Sequence, residues 1–305
     1  MKQFIESVKK LLADSTSGSG DLLTSLITAL SELVARQKPD ENLKIPAIHE
    51  QLTRIRDTRP VFMILQHFIR EFMQFAAKEP PVTASAAKAF IDAYIDAWKD
   101  VNDRISDNFH QLADIKGKTM LLHSNSSTVT SLFSSLQVIP SGIRIIQTES
   151  RPVMEGRIQG ARLADMGFPV TLISDASVSM YMPQADMAIL GADAVYPRYF
   201  INKTGSHSIA MACREYGKPC VVVCDSRKII PAEQWDKSTE AFDQSYPAME
   251  LWIDPPENVI IENHYFEKIP NYLVSRFVFE DRTVEGKNLN NTISQFRSMF
   301  PGSGL

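Results

Sequence analysis

A chain of 305 residues and 34.2 kDa has room for about two domains. Its 44% hydrophobic and 22% charged residues fit a soluble globular protein and exclude a disordered chain, a collagen-like repeat or a small disulfide-stapled module. Thirty-two Lys and Arg against 36 Asp and Glu leave a net charge of −4, and no local basic patch stands out, so direct binding to nucleic acid is not expected.

The opening, MKQFIESVKKLLADS, breaks its apolar residues with charges, unlike a secretory signal. No apolar run approaches the roughly 18 residues that cross a bilayer. The expectation is a soluble, cytoplasmic protein with no membrane partner. Through about residue 115 the apolar positions recur at helical spacing. Phe4, Val8, Leu11 and Leu12 mark one helix ahead of the Ser/Gly loop from Ser15 to Gly20. Leu22, Leu26, Leu30 and Val34 mark a second, which ends before Lys38-Pro39. A third begins after Arg59-Pro60 and passes through Val61, Leu65, Phe68 and Phe72, and a fourth spans roughly Ala84 to Phe109. Met and aromatic residues on these stripes read as core rather than as a cofactor box.

After Lys116-Gly117 short apolar runs alternate with helical segments. Thr119–Leu122, Ile143–Gln147, Val170–Ile173, Met187–Leu190 and Cys220–Cys224 read as buried strands, with a further strand at Val259–Ile261. Helices are expected at Ser127–Leu136, Glu155–Met166, Val178–Met182 and Ser206–Tyr216. The alternation predicts an α/β fold, with a helical domain over 1–115 followed by a Rossmann-like, doubly wound parallel sheet over 116–305. No G-x-G-x-x-G follows the first strand, so no dinucleotide cofactor is implied, and none of another kind is expected. Cys213, Cys220 and Cys224 are too sparse for a secreted disulfide framework and lack the paired spacing of a metal site. Cys220 and Cys224, an even number of residues apart, should face the same side of one strand; no metal is expected.

Ligands of an open α/β sheet bind beyond the carboxyl ends of its strands. The first strand ends in His123-Ser124-Asn125-Ser126-Ser127, small polar residues that either cap the next helix or leave its N–H groups facing an anion. The second ends in Thr148-Glu149-Ser150-Arg151-Pro152, where Arg151 either clamps a phosphate or pairs on the surface with Glu149 or Glu155. The third ends in Ser174-Asp175-Ala176, with Asp175 read first as a helix N-cap. After the fourth, Gly191-Ala192-Asp193 places a carboxylate behind small residues, fit to accept a sugar hydroxyl's proton. Asn202-Lys203-Thr204-Gly205-Ser206 then offers an amide, a point charge and a helix N-terminus. Five polar strand ends around one crevice point to a small phosphorylated metabolite.

These residues also carry a resemblance. The stretch ESRPVMEGRIQGARLADMGFPVTLISDASVSMYMPQADMAILGAD, followed by INKTGSHSIAMACREYGKPCVVV, resembles the alpha, beta and delta subunits of translation initiation factor 2B. It is similar too to methylthioribose-1-phosphate isomerase and ribose-1,5-bisphosphate isomerase, which share this NagB/RpiA/CoA-transferase-like type of fold. The match is strongest from Thr119 to Ser226 and reaches weakly to Thr58-Arg59-Pro60 and Asn263–Pro270. It implies a ligand pocket at the junction of two domains, with Arg59 on its helical side, and a homodimer formed through the C-terminal domain. In the isomerases a Cys after the first strand and the Asp of G-A-D move a proton or hydride between C1 and C2 of an open-chain sugar phosphate. The Asp falls on Asp193, but the Cys falls on Ser124, a far weaker proton donor or acceptor near neutrality. The segment AVYPRYFI also lacks the Asn-Gly turn usual ahead of Asn202, and the isomerases' Arg-Gly-rich N-terminal loop is not recognisable.

Two expectations follow from the residues and the resemblance together. The first is an initiation factor 2B subunit-like protein that binds a phosphorylated sugar or nucleotide through Arg59, His123, Asn125, Ser126, Arg151, Asn202, Lys203 and Gly205, with initiation-factor-type subunits as potential partners. The alternative is an aldose–ketose isomerase of a sugar 1-phosphate, with Asp193 as acid/base and Ser124 or His123 in place of the thiol.

Overall fold

The computed structural model describes residues 1–78, 80–136, 142–230 and 244–293. The chain forms two compact units, Met1–Val101 and Asn102–Leu305.

The first unit is helical. Helices α1 (Lys2–Ala13), α2 (Ser19–Ala35), α3 (Ile45–Thr58), α4 (Met63–Lys78) and α5 (Ala84–Trp98) pack with α2 touching α1, α4 and α5. Their apolar stripes supply the core: Phe4 and Val8 from α1, Leu22, Leu26 and Leu30 from α2, Leu65, Phe68 and Phe72 from α4. Each fully buried side chain of this size contributes about 1.5–3 kcal/mol. Phe68 meets Tyr94 of α5 edge to face, with ring centroids 4.9 Å apart. Helix α3 was not among the expected elements, yet buried Ile48, Leu52 and Ile55 lie at helical spacing behind a Pro in the first turn. The single helix expected from Ala84 to Phe109 is two, because the chain turns at Lys99-Asp100 before α6 (Val101–Leu112). Helix α6 packs into the second unit, where Asn108 Nδ2 donates to the Phe279 carbonyl at 2.8 Å. The division of the chain therefore falls at Val101, ahead of the change of pattern at Lys116-Gly117. Helical periodicity alone does not say which core a helix joins.

The second unit is a mostly parallel sheet with flanking helices. Its strands are β1 (Thr119–Leu122), β2 (Arg144–Thr148), β3 (Val170–Ile173), β4 (Met187–Leu190), β5 (Ala194–Val195), β6 (Tyr199–Lys203), β7 (Cys220–Val223), β8 (Phe266–Pro270), β9 (Arg276–Val278) and β10 (Thr283–Val284). Seven form one sheet in the order β10-β9-β7-β4-β1-β2-β3, with β10 alone antiparallel. Helices α7 (Ser127–Ser134), α8 (Gly156–Asp165), α9 (Val178–Tyr181) and α10 (Ser206–Glu215) lie between the strands in sequence. Central strands β1, β4 and β7 are buried at every residue, as continuous apolar runs covered on both faces must be. Strand β3, expected as buried, is instead an edge strand with Leu172 47% exposed.

Two further differences lie outside the seven-stranded sheet. Val259–Ile261 is not a strand: Ile260 is 88% exposed, and the strands of this region are β8, β9 and β10. A second, antiparallel sheet of order β5-β6-β8 was not anticipated. The β5–β6 turn is closed by the Tyr196 N–H on the Tyr199 carbonyl at 2.9 Å, with Pro197 and Arg198 at its tip, where hairpins more often have Asn-Gly. Cys213, Cys220 and Cys224 are free thiols in one core cluster. Among the described residues no helix is long and apolar enough to cross a membrane.

Candidate functional site

The winding of the large sheet locates its crevice. From β1 the chain adds β2 and β3 on one side, then crosses to lay β4 on the other side of β1. The carboxyl ends of β1 and β4 flank that switch point, where ligands of such sheets bind. His123–Ser127 follows β1 and Gly191–Asp193 follows β4.

His123 is 1% exposed and both ring nitrogens are engaged. Nε2 lies 3.0 Å from the Thr204 carbonyl, which can only accept, so Nε2 carries the hydrogen. Nδ1, 2.6 Å from Thr148 Oγ1, therefore accepts from that hydroxyl. Burial pushes the imidazole pKa down to about 4, against the pull of the Asp175 charge, so the ring is neutral near pH 7. Gly205 sits against it: at φ +109°, a Cβ there would stand 2.9 Å from the ring's Cε1. The next residue, Ser124, has a left-handed backbone at φ +68°. Its N–H donates to Ser150 Oγ at 2.8 Å and its hydroxyl to Glu155 Oε1 at 3.2 Å. Asn125 is buried and accepts from Arg162 at 3.4 Å, whereas Ser126 caps α7 by accepting from Val129 N–H at 3.3 Å.

The loop after β2 is held from below by a residue read differently in the sequence. Asp175 does not cap a helix; Ser174 occupies the cap position of the turn. Its carboxylate accepts the backbone N–H groups of Ser150 at 2.9 Å and Arg151 at 2.7 Å, because the loop's amides have no strand partner there. The Arg151 side chain is exposed and donates to the Glu250 carbonyl at 3.3 Å. The surface pairs open to it go elsewhere: Glu149 pairs with Arg157 and Glu155 with Lys203, each at 2.9 Å. Gly156 lets this loop close, since a Cβ there would lie 2.0 Å from the Thr148 carbonyl.

The hairpin supplies the other wall. Asp193 N–H donates to the Ile201 carbonyl at 2.9 Å, which puts Asp193 beside the end of β6. Asn202 and Lys203 end that strand, opposite Glu267 and Phe266 of β8. Asn202 Nδ2 donates to Ser206 Oγ at 2.8 Å. Lys203, 3% exposed, places its ammonium 2.9 Å from Glu155 Oε1 and 4.5 Å from the centre of the Tyr265 ring. Burial raises the Glu155 pKa above the usual carboxylate value, with Lys203 pulling it back.

Ser124 and Lys203 thus meet at Glu155, and His123 joins them through Ser150, whose Oγ lies 3.4 Å from Nδ1 and accepts the Ser124 N–H. Asn125 and Ser126 lie in the following turn, and the Gly205 N–H, expected to face a ligand, instead donates to Glu267 Oε1 at 2.7 Å. Arg151 stands at the exposed side of this cluster. Arg59 belongs to the helical unit, where its guanidinium donates to the carbonyls of Leu12, at 2.8 Å, and Asp14. Sequence reasoning missed Glu155 as a hub, the Asp175 brace and a second charged cluster at the end of β7. There Lys228 donates to the Ala192 carbonyl at 2.7 Å, Arg227 Nε meets Asp225 at 2.9 Å, and Glu280 accepts the Ser226 N–H at 3.1 Å. Burial pushes the Asp225 carboxyl up, but Arg227 more than offsets this and holds it below its ordinary value. The run Asp225-Ser226-Arg227-Lys228 directly after an apolar strand was a legible signal of the same kind as the other strand ends. Among the described residues no group of three or more His, Cys, Asp or Glu is placed to hold a metal ion.

Known proteins share this fold. The chain is similar to ribose 1,5-bisphosphate isomerase of Archaeoglobus fulgidus, 24% identical over 239 residues that cover 76% of this chain and 73% of that protein. The solved translation initiation factor eIF-2B of Pyrococcus horikoshii OT3 superposes with a TM-score of 0.77 at 21% identity, over 93% of this chain and 98% of that one. The 5-methylthioribose 1-phosphate isomerase of the same organism gives 0.77 at 16% identity, over 98% and 88%. At such identities the solved structures establish a common fold. The model of the initiation factor 2 subunit family matches residues 15–280, and the chain belongs to that family.

Proposed function

We propose that this chain binds a phosphorylated sugar or nucleotide at the carboxyl ends of β1, β2, β4 and β6, as an initiation factor 2B subunit-like protein without thiol-dependent isomerisation. The observation that carries this reading is the buried cluster at the switch point, where Ser124, Lys203 and Glu155 share one carboxylate oxygen. A buried ion pair is costly to assemble, and packing alone gives no reason for it there. Arg151 at the exposed side supplies a cation for phosphate, and Asp193 a carboxylate for a sugar hydroxyl. A homodimer in the cytoplasm, with initiation-factor-type subunits as further partners, completes this reading.

Calorimetric titration with ribose 1,5-bisphosphate, methylthioribose 1-phosphate and nucleoside monophosphates tests it. A ligand at 100 times its Kd adds about 2.7 kcal/mol of stability, which a thermal shift detects. Arg151→Ala is expected to weaken binding at least about tenfold, the worth of a charge-assisted contact. Saturable binding that ignores this substitution would put the ligand elsewhere.

A second reading, aldose–ketose isomerisation of a sugar 1-phosphate with Asp193 and Ser124, is favoured by the Ser124–Glu155 hydrogen bond. His123, the other candidate partner, is less suited: it is enclosed, and neither nitrogen is free for a substrate. Formation of the ketose from either sugar phosphate by the pure protein tests this reading.

A further inference from the structure

Glu155 is 6% exposed, yet only one of its oxygens is used. Oε1 receives both the Lys203 ammonium, at 2.9 Å, and the Ser124 hydroxyl, at 3.2 Å. Oε2 is buried with no hydrogen-bond partner. A buried carboxylate oxygen left unpaired is expensive in a structural ion pair and is ordinary in a group that must take up a proton. Lys203 supplies the charge that keeps the carboxylate ready, and its own position is fixed by the Tyr265 ring. The hydroxyl that touches Glu155 belongs to Ser124, whose left-handed backbone turns the residue out of the line of β1.

We propose that Glu155, acting through the Ser124 hydroxyl, is the proton acceptor of this site and takes the proton of a sugar hydroxyl in place of the thiol. This rests on the isomerase reading. Ser124 is the group that touches substrate, and Glu155 is a positioning residue behind it. In the step, Asp193 donates a proton to the ring oxygen as its bond to C1 breaks. The hydrogen on C2 moves with its bonding pair to C1. The hydroxyl on C2 gives its proton to Ser124 Oγ while the serine proton passes to Glu155, and the released pair completes the C2 carbonyl. One proton has then moved from Asp193 to Glu155, and solvent exchange restores both.

The test uses the full chain with ribose 1,5-bisphosphate, following both calorimetric binding and ketose formation. Ser124→Ala, which leaves the Glu155–Lys203 pair in place, is expected to lower kcat about 100-fold with KM within about threefold, the size of a lost acid–base contribution. Glu155→Gln is expected to do the same, and Glu155→Asp to recover part of the loss. Glu155→Gln that fails to fold leaves Ser124→Ala and Glu155→Asp to decide. Native turnover that Ser124→Ala or a folded Glu155→Gln retains would overturn the relay while the isomerase reading stands. Binding by the native chain with no ketose formed would overturn that reading and the relay with it, and leave the binding proposal intact.

Discussion

His123 illustrates how one residue's enclosure becomes a property of the whole chain. Its folded pKa of about 4 lies below the ordinary value of 6.5, so the unfolded chain takes the proton first as pH falls. The stabilisation is therefore intact above about pH 6.5 and is lost progressively towards pH 4, by about 3 kcal/mol in all. In urea denaturation, the stability advantage of the native chain over His123→Asn is expected to shrink by about 2 kcal/mol between pH 6.5 and 4.5. A constant advantage across that range would show that the imidazole is not held neutral. Ser124 and Asp193 could be picked out as candidates in the sequence because a polar group soon after an apolar strand has few places to go but the strand end, whereas Lys203 ends β6, a strand the apolar runs do not mark. The roles of Glu155 and Asp175 were not legible, because they depend on partners far along the chain: Lys203 for the first, the backbone of Ser150 and Arg151 for the second.

Among the elements, α8 shows how tightly the loop after β2 is built. Gly156 begins the helix and Gly160 lies one turn on, but only the first is crowded. A Cβ on Gly156 would stand 2.0 Å from the Thr148 carbonyl, whereas one on Gly160 would meet Gln147 Cγ at an ordinary 3.5 Å. Gly156→Ala is expected to cost on the order of 3 kcal/mol or more, at the upper end of overpacking. Gly160→Ala should be neutral or stabilise by up to about 1 kcal/mol through helix propensity. Equal effects of the two in chemical denaturation would contradict the packing described here. The parallel strands could be placed from sequence because they are continuous apolar runs between helical segments. The β5–β6 hairpin could not, since Tyr196-Pro197-Arg198-Tyr199 lacks the Asn-Gly or Gly that marks a two-residue hairpin, and its pairing with β8 spans a long stretch of chain.

For the whole molecule, the thiols report on the integrity of the sheet core. Cys213, Cys220 and Cys224 are all buried, and burial pushes the Cys224 thiol well up from its ordinary pKa. A thiol reagent should leave the native chain unlabelled on the timescale of minutes and modify all three cysteines in urea. Prompt labelling of the folded chain would mean that the core opens.

The most direct measurement is hydrogen exchange followed by mass spectrometry, with and without saturating ribose 1,5-bisphosphate. Bound sugar phosphate is expected to slow exchange in peptides spanning 123–127, 149–156 and 191–205, the segments that meet at the crevice. Slowed exchange confined to other segments, or none despite saturation, would contradict a ligand site at the switch point.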